Sequence, residues 1–171
     1  ALLRLAEIET GRHPSAVRDL PLRDMLEDIA ETMEPVIADA GCALELGRLE
    51  PVRVRGDADL FNQMIVNLLE NVVTHTPAGT RAKLSLEQAG ESALIAIDDD
   101  GPGLAEGERD RVLLPFERGK GSGLRRGSGL GLAITRAIVR FHQGSLELAD
   151  NAPGLKVRIR LPALPEAVQA A

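Results

Sequence analysis

The chain has 171 residues, about one domain at roughly 150 residues each, and carries a net charge of −6 from 20 basic and 26 acidic side chains, a balance that excludes a general nucleic-acid binder. Its single cysteine, Cys42, excludes an internal disulfide framework and is in keeping with a reducing compartment. No apolar run approaches the ~20 residues of a membrane helix, and no signal peptide is visible. The chain opens in mid-helix pattern without an initiator Met, the start expected of a piece excised from a longer protein.

In chain order, Ala1, Leu5 and Ile8 form an apolar stripe at helical spacing with Gly11 as a stop, which reads as the end of a longer helix. A loop through His13-Pro14 follows. From Leu22 to Ala40, apolar residues at 22, 25, 26, 29, 33, 36 and 37 predict an amphipathic helix, with a kink expected at Pro35. Ala43–Leu46 and Val52–Arg55 read as short strands. Asp57 is placed to cap a helix running to about Thr76, where Pro77 stops it. Lys83–Glu87 and Ala93–Asp98 read as a hairpin around Gly90. Residues 101–128 are irregular, with one helical piece near Glu106–Leu114; nine of the chain's 17 glycines fall between 101 and 131. A helix is predicted from Gly129 to His142, then strands at Ser145–Ala149 and Lys156–Leu161, then a loose tail after Pro162. The mixture implies a two-layer α/β sandwich, its mixed sheet covered on one face by helices.

Three features carry chemistry. On the central helix Asn67, Asn71 and His75 recur every four residues, a polar stripe on a largely apolar helix that either meets backbone or faces a ligand. The strand Ile95–Asp99 ends in carboxylates and turns through Gly101 and Gly103. Backbone there can approach a planar ligand closely, and an Asp can accept from an exocyclic amine. Gly127-Ser128-Gly129-Leu130-Gly131 opens a helix, the setting for a phosphate on free N–H groups. It is neither a Walker loop nor a Rossmann fingerprint, since the residues those patterns require are missing. Just before it, Arg118, Lys120, Arg125 and Arg126 make a cationic Gly-rich stretch suited to a flexible lid over polyphosphate.

Together these residues resemble the ATP-binding catalytic domain of sensor histidine kinases, in the gyrase, chaperone, histidine kinase and MutL superfamily. Asn67-Leu68-Leu69-Glu70-Asn71 resembles the N box and Asp99-Asp100-Gly101-Pro102-Gly103 the first glycine box. Pro115-Phe116-Glu117-Arg118 resembles the F box, and Gly127–Leu132 the second glycine box. The likeness covers about residues 20–162. It implies the end of a dimerisation and phosphoacceptor helix at 1–11, a linker at 12–21, the catalytic domain at 22–162 and a tail at 163–171.

The resemblance implies ATP and Mg²⁺ as cofactors. Asn71 would hold the metal and Asn67 would support the phosphates. Asp99 would receive the adenine amine, with Gly101 and Gly103 admitting the base beside His75. Arg118 would act with Asn67 in catalysis, Lys120 would add a cation, and Gly127, Gly129, Leu130 and Gly131 would wrap the phosphates. The implied partners are the dimerisation and phosphoacceptor domain of the same kinase and a response regulator. The fragment itself is expected to be monomeric or weakly associated, as the cytoplasmic part of a membrane-anchored sensor. Thr74 and His75 depart from the basic and aromatic residues common in the family, and Leu113 from a Phe. None of His13, His75 and His142 has the surroundings of a phosphoacceptor. Three other readings stay open: an ATPase of the superfamily, disfavoured because Asn67 stands where its general base would be; an anti-sigma-factor serine kinase; and a non-catalytic partner-binding module.

Overall fold

A computed structural model describes residues 1–14, 16–117 and 129–166. Helix α1 (Leu2–Glu9) precedes strand β1 (Val17–Pro21), helix α2 (Leu22–Asp39), strands β2 (Ala43–Leu49) and β3 (Arg53–Asp57), and helix α3 (Ala58–His75). The hairpin of β4 (Arg81–Ala89) and β5 (Ser92–Asp99) follows, then the short helix α4 (Glu106–Arg109) and a 3₁₀ turn at Arg111–Leu113. Helix α5 (Gly131–Phe141) and strands β6 (Ser145–Asp150) and β7 (Leu155–Pro162) complete the fold.

The main sheet has five strands in the order β2-β4-β5-β7-β6; β2 runs parallel to β4 and every other pair is antiparallel. Its inner face (Leu84, Leu86, Ile95, Ile97, Val157, Ile159) is buried against α2, α3 and α5, and the seven buried apolar side chains of α3 form the middle of that core. Each contributes about 1.5–3 kcal/mol on burial. The outer face is charged: Glu45 lies opposite Lys83, Lys83 opposite Asp98, and Asp98 opposite Lys156. Asp98 also pairs with the Arg158 guanidinium. This is the two-layer α/β sandwich with a mixed sheet that the pattern predicted.

Two expectations need correction. Residues 17–21, read as loop, form β1, which pairs only with β3 in a separate two-stranded sheet. β1 buries Leu20 alone of its five residues, so it shows no apolar alternation to be read. Helix α5 begins at Gly131, two residues later than expected, because Gly129 adopts φ +69° and cannot continue a right-handed helix. Helix α2, in contrast, runs on through Pro35.

Candidate functional site

Helix α3 is the spine of the site. The Asp57 carboxylate caps it, its Oδ1 accepting from the N–H groups of Asp59 and Leu60, both at 3.0 Å. The apolar face of the helix is sunk in the core. A line of polar residues, Gln63, Asn67, Asn71 and His75, one turn apart, forms a wall of a cavity of about 660 Å³. Asn67 Nδ2 donates to the Gly131 carbonyl at 3.4 Å, while at the far end of α5 His142 Nε2 accepts from the Asp57 N–H at 3.1 Å. The two contacts make α3 and α5 antiparallel and bring the start of α5 beside the polar line. Leu130 is the N-cap residue there, and among the described residues no side chain caps that start. Among the described residues a Cβ on Gly131 would meet only Asn71 Oδ1, at 3.9 Å.

Opposite lies Asp99, at the end of β5 and buried. Its Oδ1 accepts from the N–H groups of Gly101 (2.9 Å) and Leu155 (3.3 Å), and its carbonyl from Asn151 Nδ2 (2.7 Å). Burial pushes its pKa up, with Asp100 and Asp98 adding to the effect and the two backbone hydrogen bonds opposing it. Gly101 sits against the end of α3: a Cβ there would come within 2.8 Å of Thr76 Cγ2 and 3.0 Å of Asp99 Oδ1. Gly103, at φ +70°, would place a Cβ 2.6 Å from the Gly154 carbonyl. Glycine at both positions lets this turn pack directly against Thr76 and the Gly154 backbone.

The structure thus brings together on one cavity Asn67, Asn71, His75, Asp99, Gly103, Gly129 and Gly131, with Gly101 directly behind Asp99 and Leu130 buried at the α5 start. Arg118, Lys120 and Gly127, and with them the expected lid, lie outside the described residues. The sequence reading missed Gln63, which extends the four-residue spacing of the polar stripe by one turn, and Thr76, Gly154 and Asn151, which shape the Asp99 end. Glu70, next to Asn71 on α3, lines the cavity as well. Among the described lining residues the charged side chains are Glu70, Asp99, Glu108 and Glu117, with no Lys or Arg.

The profile of the histidine kinase-, DNA gyrase B-, and HSP90-like ATPase family matches residues 56–165, from the end of β3 to beyond β7. The chain belongs to this family. Its relatives within the family include the sensor protein SphS of Synechococcus elongatus, 33% identical over 96% of this chain and 42% of that protein. The sensor protein kinase PmrB of Pseudomonas aeruginosa is 30% identical over 94% of this chain and 34% of its own. The chain therefore spans less than half the length of these relatives. The mycobacterial sensor histidine kinase MprB superposes with a TM-score of 0.79 at 29% identity, covering 86% of this chain and 99% of that structure. Full-length ShkA in complex with AMPPNP gives a TM-score of 0.83 over 98% of this chain and 35% of its own, at 20% identity, a likeness of fold. This histidine kinase-type ATPase domain thus has sensor histidine kinases as relatives and the fold of their catalytic domains.

The site's chemistry suits the family's ligand, ATP. Amide groups of Asn67 and Asn71 and the N–H groups at the α5 start offer neutral donors and acceptors to polyphosphate. The buried, acceptor-only Asp99 carboxylate suits an exocyclic amine. Among the described residues no group of three or more His, Cys, Asp or Glu side chains forms a metal cage.

Proposed function

We propose that this chain binds ATP with Mg²⁺ and transfers the γ-phosphate to a histidine on a dimerisation and phosphoacceptor domain of the same kinase, for relay to a response-regulator aspartate. The observation that carries the reading is the facing arrangement: the Asn67–Asn71 line of α3 and the start of α5 at one end of the cavity, Asp99 with Gly101 at the other. In this reading Asn71 holds Mg²⁺, Asn67 supports the phosphates, Asp99 takes the adenine amine beside His75, and Gly129, Leu130 and Gly131 contact phosphate. Arg118, Lys120 and Gly127 act from the stretch before α5. The metal, when bound, neutralises charge on the β- and γ-phosphates; positioning and electrostatics supply the rest, since phosphoryl transfer asks little covalent chemistry of the protein.

Hydrolysis is the weaker reading, because the Asn67 amide, already donating to the Gly131 carbonyl, cannot serve as a general base for water. Residues 1–11 would be the end of the dimerisation helix, 12–21 the linker and 22–162 the catalytic domain. No helix among the described residues is long and apolar enough to cross a membrane. A cytoplasmic catalytic part on a membrane-anchored sensor fits the sensor relatives. The test is calorimetric titration of ATP with and without Mg²⁺. Metal-dependent binding supports the reading, and no binding at millimolar ATP overturns it in favour of a partner-binding module. Incubation with labelled ATP should leave this chain without acid-labile phosphohistidine, since His142 is buried on two backbone partners and His13 lies against Asp57.

A further inference from the structure

We propose that Thr135 is a positioning residue for Asn67: as the Asn67 amide turns its N–H from the Gly131 carbonyl to a nucleotide phosphate, the Thr135 hydroxyl takes its place on that carbonyl. The inference rests on the nucleotide reading above and deepens it, naming a residue that supports Asn67 without touching the nucleotide.

Thr135 lies on α5, wholly buried, and its Oγ1 has no hydrogen-bond partner among the described residues. In helices a threonine hydroxyl commonly donates to the carbonyl four residues earlier. Thr10, Thr32 and Thr76, on or just after helices α1, α2 and α3, each do so: to Ala6 at 2.7 Å, to Asp28 at 2.9 Å and to Val72 at 2.6 Å. Four residues before Thr135 stands Gly131, whose carbonyl has two lone pairs. The helical ladder of α5 gives one to the Thr135 N–H, and Asn67 Nδ2 has the other, at 3.4 Å. Two side chains are thus in line for one acceptor position. The amide holds it, and the hydroxyl is left without a partner.

The present holder is a weak one. At 3.4 Å the Asn67 contact is longer than the about 2.7–3.2 Å of an ordinary N–H···O bond, so little is lost in giving it up. A buried hydroxyl without a partner is costly, and native chains leave few of them. Asn67 lines the cavity, and an N–H on a phosphate oxygen is roughly twice as strong as one on a neutral carbonyl. With nucleotide bound, the amide leaves Gly131 for the phosphate. A rotation about the Thr135 Cα–Cβ bond then sets Oγ1 on the vacated lone pair. The hydroxyl surrenders nothing in turning, since it holds no partner to begin with. Phosphate, carbonyl and hydroxyl are then all paired.

The hydroxyl therefore acts with opposite sign in the two states. In the free protein it is an orphan that lowers stability. With nucleotide bound it fills the position that Asn67 leaves, and so favours binding. Valine matches threonine in shape and carries a methyl where the hydroxyl was, so it removes the orphan and the replacement donor together. Serine keeps the donor and loses a methyl from the core.

The test is calorimetric titration of ATP·Mg²⁺ into this chain, with melting curves recorded without nucleotide. Thr135→Val should bind about 3- to 10-fold more weakly, the worth of one neutral hydrogen bond, while melting at the same temperature or up to a few degrees higher. Thr135→Ser should bind within about twofold of the unchanged chain although it melts lower, having lost a buried methyl. In an Asn67→Ala background, Thr135→Val should change affinity by less than about twofold, because no amide is handed over. Unchanged affinity in Thr135→Val overturns the proposal. So does weaker binding together with a lowered melting temperature in Thr135→Val, which would make the hydroxyl a structural hydrogen bond of the free protein. Weak binding by Thr135→Ser overturns it too, since the methyl would then be what matters, as does an equal loss from Thr135→Val in the Asn67→Ala background. The unchanged chain separates the two levels. No binding at millimolar ATP removes the nucleotide reading and Thr135 with it, whereas normal binding by both the unchanged chain and Thr135→Val removes the Thr135 assignment alone.

Discussion

Gly154 holds φ +111° with its α-carbon against the backbone of Asp99, so close that a Cβ would overlap the Asp99 carbonyl oxygen. The two residues are joined through Leu155, whose N–H donates to Asp99 Oδ1. Gly154→Ala therefore forces β5 and the turn before β7 apart. It should cost about 3 kcal/mol or more and weaken ATP binding together with stability. Chemical denaturation and nucleotide titration of the same variant check both.

Asp99→Asn separates binding from stability. The Asn oxygen can keep the hydrogen bonds from Gly101 and Leu155, while its NH₂ group opposes an exocyclic amine. ATP affinity should fall about 10- to 100-fold, the range expected for losing a hydrogen bond to a charged group. The apo-protein should be at least as stable as the original near neutral pH. The sign follows from the raised pKa of Asp99: its burial penalises the charged form, so the folded state is disadvantaged above the folded pKa and relieved as pH falls through it. A variant that melts well below the original would contradict this.

Removing the metal should have a large effect here, because the described lining of the cavity carries four carboxylates and no Lys or Arg. ATP affinity in EDTA should be at least about 10-fold weaker than in Mg²⁺, reflecting charge left uncompensated at short range. Asn71→Ala should show weak binding in both conditions. Calorimetry on the two proteins in the two buffers gives the four values needed.

His142 gives a pH dependence. Burial lowers its pKa below the usual 6.5, outweighing the Ile138 carbonyl and Asp57, which favour the proton. The neutral ring donates from Nδ1 to the Ile138 carbonyl at 2.8 Å and accepts at Nε2 from the Asp57 N–H. For a depressed imidazole the unfolded chain binds the extra proton first. Stability is then full above about pH 6.5 and is lost as pH falls toward and through the folded value. Asp57 acts in a lower window: burial alone would raise it, yet N–H groups of Leu60, Ala16 and Asp59, with His13, hold it below 3.8. Its contribution disappears only in stronger acid. Melting curves between pH 7.5 and 5 should show the first loss, and His142→Gln should flatten that slope while costing about 2 kcal/mol at pH 7.5.

Most of the core was legible, because α2, α3 and α5 bury continuous apolar stripes and β7 alternates apolar with charged residues. The Asn67–Asn71–His75 spacing and the Asp99–Gly103 turn were legible for the same reason: a periodic helix or a strand end fixes where a side chain stands. β1 was not, since five residues with a single buried Leu leave no period, and its pairing with β3 is a long-range choice. The late start of α5 depends on one left-handed glycine, which a pattern of glycines cannot distinguish from its neighbours. Gln63 was overlooked although its spacing was visible, because on sequence alone a glutamine four residues before an asparagine is an ordinary helix-surface residue.

The Asp57 carboxylate divides its two oxygens between different parts of the chain. Oδ1 serves the first turn of α3, whereas Oδ2 accepts from the Ala16 N–H at 3.2 Å and lies 3.6 Å from His13 Nε2. The segment joining α1 to β1 is therefore fastened to the same group that begins the helix bearing Asn67 and Asn71. His13 and Ala16 cannot be pulled away without stripping one oxygen of its partners. This segment is thus anchored at the root of α3, and any displacement of it is felt there first.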